Sequence, residues 1–376
     1  MQYLYFFVFI FVLNKFVGQF VGVKNLDEMS TIKQPIKLAA GEIRKSKNCQ
    51  ASKNGIIDTI TPNYYNYKLD PTKGHQRIKR RAVPDTLYME VFIVIDEKLS
   101  EAIGKSYSNG FWNKYGQNRA LPPGIPSKEK ELYLRKFMTA VNARFEDQFK
   151  SPKIKFHISG ILDGKDLSFS KTAKDDEDTM DIWNTLEKMP PYFNETFRQK
   201  SNFDVILFLT GKHKMCKTDI WRWCGKDKYK GMSFQNGACY DIPVNWEPDL
   251  SFGMAIVSDL GAFSGVNTAV HEIGHLLGAN EDGIKNDCCS SNGYIMTDLT
   301  TAKRFLKRNS AKWSSCSVTS INNFLNSDQA AMCLYNKPKL DWHPLLDYED
   351  LIAPNVPSLV DQCSVMVKAN GMVWCV

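Results

Sequence analysis

His271 and His275 stand four residues apart in Val266–Leu277, a stretch of helical character, so both imidazoles project from one helix face, one turn apart. Two ring nitrogens at that spacing suit one Zn²⁺ at ~2.0–2.1 Å. Glu272 follows the first histidine directly and cannot share its direction, so its carboxylate lies beside such a metal as a base. Zinc draws the pKa of a water toward ~7, and a carboxylate there can take its proton and return it to a leaving amine. Gly278 comes three residues after His275, where the helix must break to bring a third ligand round. Glycine tolerates the left-handed conformation such a break needs. Two histidines on an apolar helix are more often packing residues than ligands, and the bare pattern also arises by chance. The glycine and the surrounding organisation decide for a metal site.

Those side chains need a layered frame. Thr86–Asp96 (TLYMEVFIVID) is β-branched and aromatic, the pattern of a buried strand. Lys128–Phe149 carries Leu134, Phe137, Met138, Val141 and Phe145 along one helical stripe. Lys153–Leu162 alternates as a strand, Asp178–Met189 reads as a helix stopped by Pro190-Pro191, and Phe203–Leu209 and Phe252–Ser258 are further strands. Strand and helix in alternation predict an α/β layer with a largely parallel sheet. Between 211 and 250, three tryptophans, Cys216, Cys224 and Cys239 predict a disulfide-stapled loop with a short edge strand near Gly237–Ile242.

The ends of the chain point to an export route. Met1–Leu13 is almost wholly apolar until Asn14 and Lys15, too short for the ~20 residues of a membrane span but suited to a signal-peptide core. The usual basic start is missing, and Gly18 and Gly22 both offer cleavage points. Ten cysteines without a Cys-x-x-Cys pair read as disulfide bonding in an oxidising compartment. Asn194-Glu195-Thr196 is a glycosylation sequon. Residues 23–76 are polar and end at Arg77-Ile78-Lys79-Arg80-Arg81, a cluster placed for a proprotein convertase just before the first strong strand. A net charge of +7 reflects solubility and this basic segment, and no nucleic-acid module is recognisable. The predicted organisation is a signal peptide (1–22), a propeptide (23–80), a catalytic domain (81–336) and a linker opening a cysteine-rich module (337–376), inside which the chain is expected to stop.

Ser251–Gly283 (SFGMAIVSDLGAFSGVNTAVHEIGHLLGANEDG), Cys288–Met296 (CCSSNGYIM) and Lys312–Ser317 (KWSSCS) resemble the reprolysin, or adamalysin-type, metzincins, and among them the secreted salivary-gland metalloproteases of ticks. The likeness runs over about 82–336. It implies a zincin fold: a mixed, mostly parallel sheet of about five strands with the active-site helix, and a small irregular C-terminal subdomain with a Met-turn. It also implies His271 and His275 as zinc ligands, Glu272 as the catalytic base and Met296 as a floor beneath the metal. An extended substrate would add antiparallel to the edge strand near 237–243. A secreted monomer without a stable membrane anchor is expected. Its substrates would be extracellular proteins, and the tick likeness suggests host matrix or clotting proteins such as fibrinogen or gelatin.

The sequence departs from the family at the third ligand. The family pattern places a histidine three residues beyond Gly278, and this chain has Glu281, with Asp282 and Gly283 following as the family expects. Three readings are open: Glu281 ligates, since zinc accepts carboxylate oxygens at ~2.0–2.2 Å; Asp282 ligates instead; or the site holds zinc poorly and the chain is a secreted binding module without turnover. An anionic third ligand would weaken the Lewis acid and slow catalysis or move it to higher pH. Cys49, alone in the prosegment, can block the metal as thiolate or be an unpaired cysteine, and its neighbours Asn48 and Gln50 do not match the family's switch. Without it nine cysteines remain, so one lacks an internal partner: a residue beyond Val376 would supply it, or Cys288 or Cys289 is free.

Overall fold

The structure, a computed structural model, describes residues 59–60, 82–338 and 345, apart from 109–126, 166, 175, 197–202, 219–223, 225–228, 245–246 and 298–308. The expected signal peptide, the cleavage cluster, Cys49 and the cysteines at 363 and 375 lie outside the described residues. In chain order the elements are β1 (Thr59–Ile60), β2 (Thr86–Asp96), α1 (Glu97–Ser108), α2 (Lys128–Glu146), β3 (Lys153–Gly164), β4 (Thr179–Asp181) and α3 (Ile182–Thr196). Next come β5 (Val205–Thr210), β6 (Lys214–Cys216), β7 (Gly231–Phe234), β8 (Asp241–Val244), β9 (Glu247–Ser251) and β10 (Met254–Ser258). The last helices are α4 (Val266–Leu276), α5 (Ser315–Leu325) and α6 (Asp328–Cys333).

The main sheet has the order β1-β7-β10-β5-β2-β3. β3, β2, β5 and β10 run parallel, and β7 pairs antiparallel with β10 through Ala255↔Ser233, Ile256↔Met232 and Val257↔Gly231. This is the largely parallel sheet that the alternation predicts and the mixed one that the resemblance implies, with five substantial strands and the two-residue β1 added outside β7. β2 and β5 are buried on both faces, as inner parallel strands covered by helices must be, which is why their sequences are continuous apolar runs. The α2 stripe forms as its spacing requires. Leu134, Phe137, Met138, Val141 and Phe145 are all fully buried, and the Ser127 side chain accepts from Lys130 N at the first turn.

Two expectations change. The helix predicted for Asp178–Met189 begins only after β4 and runs through Pro190 and Pro191 to Thr196. The prolines remove two N–H donors, but Leu186 and Met189 before them and Phe193 after them are fully buried, so packing on both sides outweighs the lost bonds. Asn194 of the sequon is on this helix and only 6% exposed, so the folded chain does not present it. The edge strand predicted near 237–243 is displaced as well. β7 ends at Phe234, Gly237 and Tyr240 close successive turns, and Cys239 takes a positive φ while bonded to Cys333. β8 then pairs with β9 in a separate two-stranded sheet. The antiparallel strand at the margin of the main sheet is therefore β7, six residues earlier.

Beyond α4 the chain is irregular until α5. Disulfides Cys288–Cys316 and Cys239–Cys333 tie these segments down, and Cys216–Cys224 staples the expected loop. Cys289 is disulfide-bonded too, so neither member of the Cys288-Cys289 pair is a free thiol. Among the described residues, no helix is long and apolar enough to cross a membrane.

Candidate active site

α4 is buried all round, unlike a surface helix, because it lies between the sheet and the irregular segment C-terminal to it. Its first turn has no side-chain cap. Instead the buried Asp259 carboxylate accepts from Ser264 Oγ (3.0 Å), Gly265 N (3.3 Å) and Tyr133 Oη (2.6 Å), and Tyr133 Oη accepts from Phe263 N (2.8 Å). Burial pushes the Asp259 pKa up, opposed by these donors. One residue of α2 thus pins the linker that launches the site helix.

The helix ends as its glycine predicts. Gly278 has φ +88°, Gly278 N donates to His275 O and Ala279 N donates to Gly274 O. This turn carries Ala279 O back to His275, whose Nδ1 meets it at 2.8 Å, while His271 Nδ1 meets Ile295 O at 2.8 Å. A carbonyl oxygen only accepts, so both Nδ1 atoms carry the proton and both Nε2 atoms present lone pairs. Those two lone pairs face each other across 3.0 Å in a fully buried site. Two acceptors cannot bond to one another, and a cation held by both would resolve the repulsion. Tetrahedral zinc with bonds of ~2.0–2.1 Å sets its nitrogens ~3.3 Å apart, close to the separation seen.

Glu281, 5% exposed, completes the group: one ligand atom from each of His271, His275 and Glu281 lies within 4.8 Å of the others. The loop that brings it round is held by Asn286, whose Nδ2 donates to Glu281 O and whose Oδ1 accepts from Gly283 N and Cys288 N. Asp282 goes elsewhere. Its Oδ1 accepts from Ser314 Oγ at 2.6 Å, where Ser314 caps α5, and its amide donates to Met296 O. Two imidazoles and a carboxylate are a donor set that zinc accepts, so the residues present fit the metal.

Met296 is buried below α4. A Cβ built on Gly274 would lie 2.8 Å from Met296 Sδ and 2.9 Å from Trp313 Cζ3, so only glycine lets the helix settle on this floor. Trp313 is fixed in turn by Nε1 donating to Arg144 O and by its ring against Phe145 and Phe149. Glu272 is fully buried on the opposite side, its Oε2 accepting from Ser233 Oγ of β7 at 2.8 Å. Sequence reasoning does not single out Ser233, Gly274, Tyr133 or Asp259. Gly274 alone has a readable signal, an isolated glycine inside a helix.

Residues 132–282 match the metallopeptidase family described as M12B, reprolysin-like. The chain is 31% identical over 284 residues to "A disintegrin and metalloproteinase with thrombospondin motifs like" of Bombyx mori, covering 72% of this chain and 36% of that one. It is 24% identical over 324 residues to "A disintegrin and metalloproteinase with thrombospondin motifs 13" of Mus musculus, covering 83% and 19%. It is 27% identical over 224 residues to "Venom metalloproteinase 3" of Eulophus pennicornis, covering 55% and 47%. The chain spans about a third, a fifth and just under half of the lengths of these relatives, and the family match runs from within α2 to Asp282, which takes in His271, Glu272, His275 and Glu281.

Proposed function

The chain carries a reprolysin-type metzincin domain, and from that premise we propose that it is a secreted zinc-dependent endopeptidase of extracellular proteins, made as a zymogen. The observation that carries the reading is the convergence of His271, His275 and Glu281, with Glu272 buried beside them. His271 and His275 would hold the metal through Nε2 and Glu281 through a carboxylate oxygen. When bound, zinc supplies Lewis acidity that polarises the scissile carbonyl and acidifies the attacking water. Glu272 takes that water's proton and passes it to the leaving amine. Met296 supports the two histidines from below as the residue of a Met-turn.

β7 offers the strand to which an extended peptide would add in antiparallel sense. In this chain its outer side pairs with Thr59 and Ile60 of the predicted propeptide, and in parallel sense: Thr59↔Ser233 and Ile60↔Phe234. That pairing supports latency, because the same edge cannot take a substrate until the segment leaves. Disulfide usage supports export. The likeness to tick salivary enzymes makes gelatin and fibrinogen the first substrates to try.

The test is turnover with metal content. Processed chain should hold one zinc and cut gelatin or fibrinogen in a chelator-sensitive manner, and Glu272→Ala should keep the zinc and lose roughly 10²–10⁴-fold in rate. A wild type that cuts nothing makes the chain a binding module instead, and equal cutting by Glu272→Ala overturns the assignment of catalysis to this site.

A further inference from the structure

We propose that Gly231 and Ser233 of β7 form a seat that positions the Glu272 carboxylate for proton transfer; the reaction it serves is the one proposed above. Alternate residues of a strand face the same side, so 231 and 233 together look toward α4. The Ser233 hydroxyl donates to Glu272 Oε2 at 2.8 Å, and lies 3.2 Å from the Glu272 backbone oxygen. It has one proton to give, and the carboxylate oxygen is the nearer acceptor. Gly231 keeps the other side clear: a Cβ there would stand 2.5 Å from Glu272 Oε1, 2.9 Å from Cγ and 2.8 Å from Thr268 Cγ2. One position supplies a donor and the other supplies absence of bulk. Both are needed to fix where the carboxylate lies.

The seat is held by the pairing of its strand with β10, Ser233 opposite Ala255, a pairing that removal of the propeptide leaves in place. Ser233 and Glu272 are both fully buried, so no bulk water competes for the contact. An ionised carboxylate removed from water needs fixed donors in exchange, and a hydrogen bond to a charged acceptor is roughly twice as strong as a neutral one. The strand that seats the base is also the strand that would align the peptide. Base and scissile bond are thereby referred to one backbone, and proton transfer depends on such placement at the ångström scale. Gly231 and Ser233 are positioning residues: they act through Glu272.

Ser233→Ala is near-isosteric and removes only the donor; Gly231→Ala keeps the donor and displaces the carboxylate. In the processed chain both should lower kcat, by roughly tenfold for Ser233→Ala and more for Gly231→Ala, with KM within about twofold and zinc stoichiometry unchanged. Ser233→Thr, which keeps the hydroxyl, should recover most of the kcat. Unchanged kcat in both alanine variants overturns the seat, as does a loss of rate matched by loss of zinc. A readout free of turnover accompanies these. In the metal-free protein, the unfolding midpoints of Ser233→Ala, Glu272→Ala and the double variant should be non-additive. If the wild type binds zinc but cuts nothing, the protease reading fails while this cycle still decides the seat, and additivity overturns it.

Discussion

With Nδ1 of His271 and of His275 donating to the Ile295 and Ala279 carbonyls, the ligand tautomer is set by backbone groups before metal arrives. Glu281, grouped with the two histidines, is the residue at which the proposed ligand set is tested. Glu281→Ala should weaken zinc by more than the roughly 10–100-fold that an outer-shell contact is worth, and Glu281→His should retain it; competition with a chelator measures both. Equal zinc affinity in Glu281→Ala and wild type would remove Glu281 from the ligand set. Asp259 makes a separate prediction through protons. Its folded pKa is raised from 3.8 by burial, so its contribution to stability is fully present below about 3.8 and is lost as pH rises through the folded value. The unfolding midpoint of wild type relative to Asp259→Asn should therefore fall as pH increases from about 4. A difference that stays flat or grows with pH contradicts the assignment.

At the scale of the element, α4 is held at three places: at its start by Asp259 and Tyr133, along its side by Met296 and Trp313, and at its end by the Gly278 turn. A methyl group has no room at Gly274. Gly274→Ala should destabilise the fold by about 1–3 kcal/mol, read by denaturant unfolding, despite alanine's better helix propensity. It should also weaken zinc binding, since the helix that carries both histidines would be displaced from Met296 and Trp313. A stabilised Gly274→Ala would show that the close approach does not matter. The continuation of α3 through Pro190 and Pro191 has the same cause: tertiary contacts on both flanks outweigh a local breaker worth ~3 kcal/mol.

At the scale of the molecule, a metal held by His271, His275 and Glu281 would tie α4 to the irregular segment that follows it. Zinc at a hundredfold excess over Kd should raise stability by ~2.7 kcal/mol, seen as a rise in Tm that a chelator reverses. Equal Tm with and without chelator would exclude tight binding in the folded chain. The pairing of Thr59–Ile60 with β7 leads to a second expectation. The unprocessed chain should cut gelatin far more slowly than the chain cleaved after Arg80, and added zinc should not close the gap. Equal rates would show that this pairing does not guard the strand.

The helix α4 is legible in the sequence because its information is local: His271, Glu272, His275 and Gly278 are related by one helical period and one turn. The same holds for β2 and for the α2 stripe, where burial writes its own periodicity. The antiparallel strand at the sheet margin is not legible. β7 is four residues long and exists by pairing with β10, which no local pattern records, whereas the turn chemistry at 237–240 resembles a strand boundary and places the expected edge downstream. Nor can sequence choose between Glu281 and Asp282, adjacent carboxylates of equal ligand chemistry. The tertiary structure separates them: the turn at Gly278 brings Glu281 to the histidines, and Ser314 draws Asp282 away to the cap of α5. The order of residues along the chain determines which ligand types are on offer; which carboxylate lies beside the histidines, and which strand holds Glu272, is decided by tertiary contacts that no local pattern records.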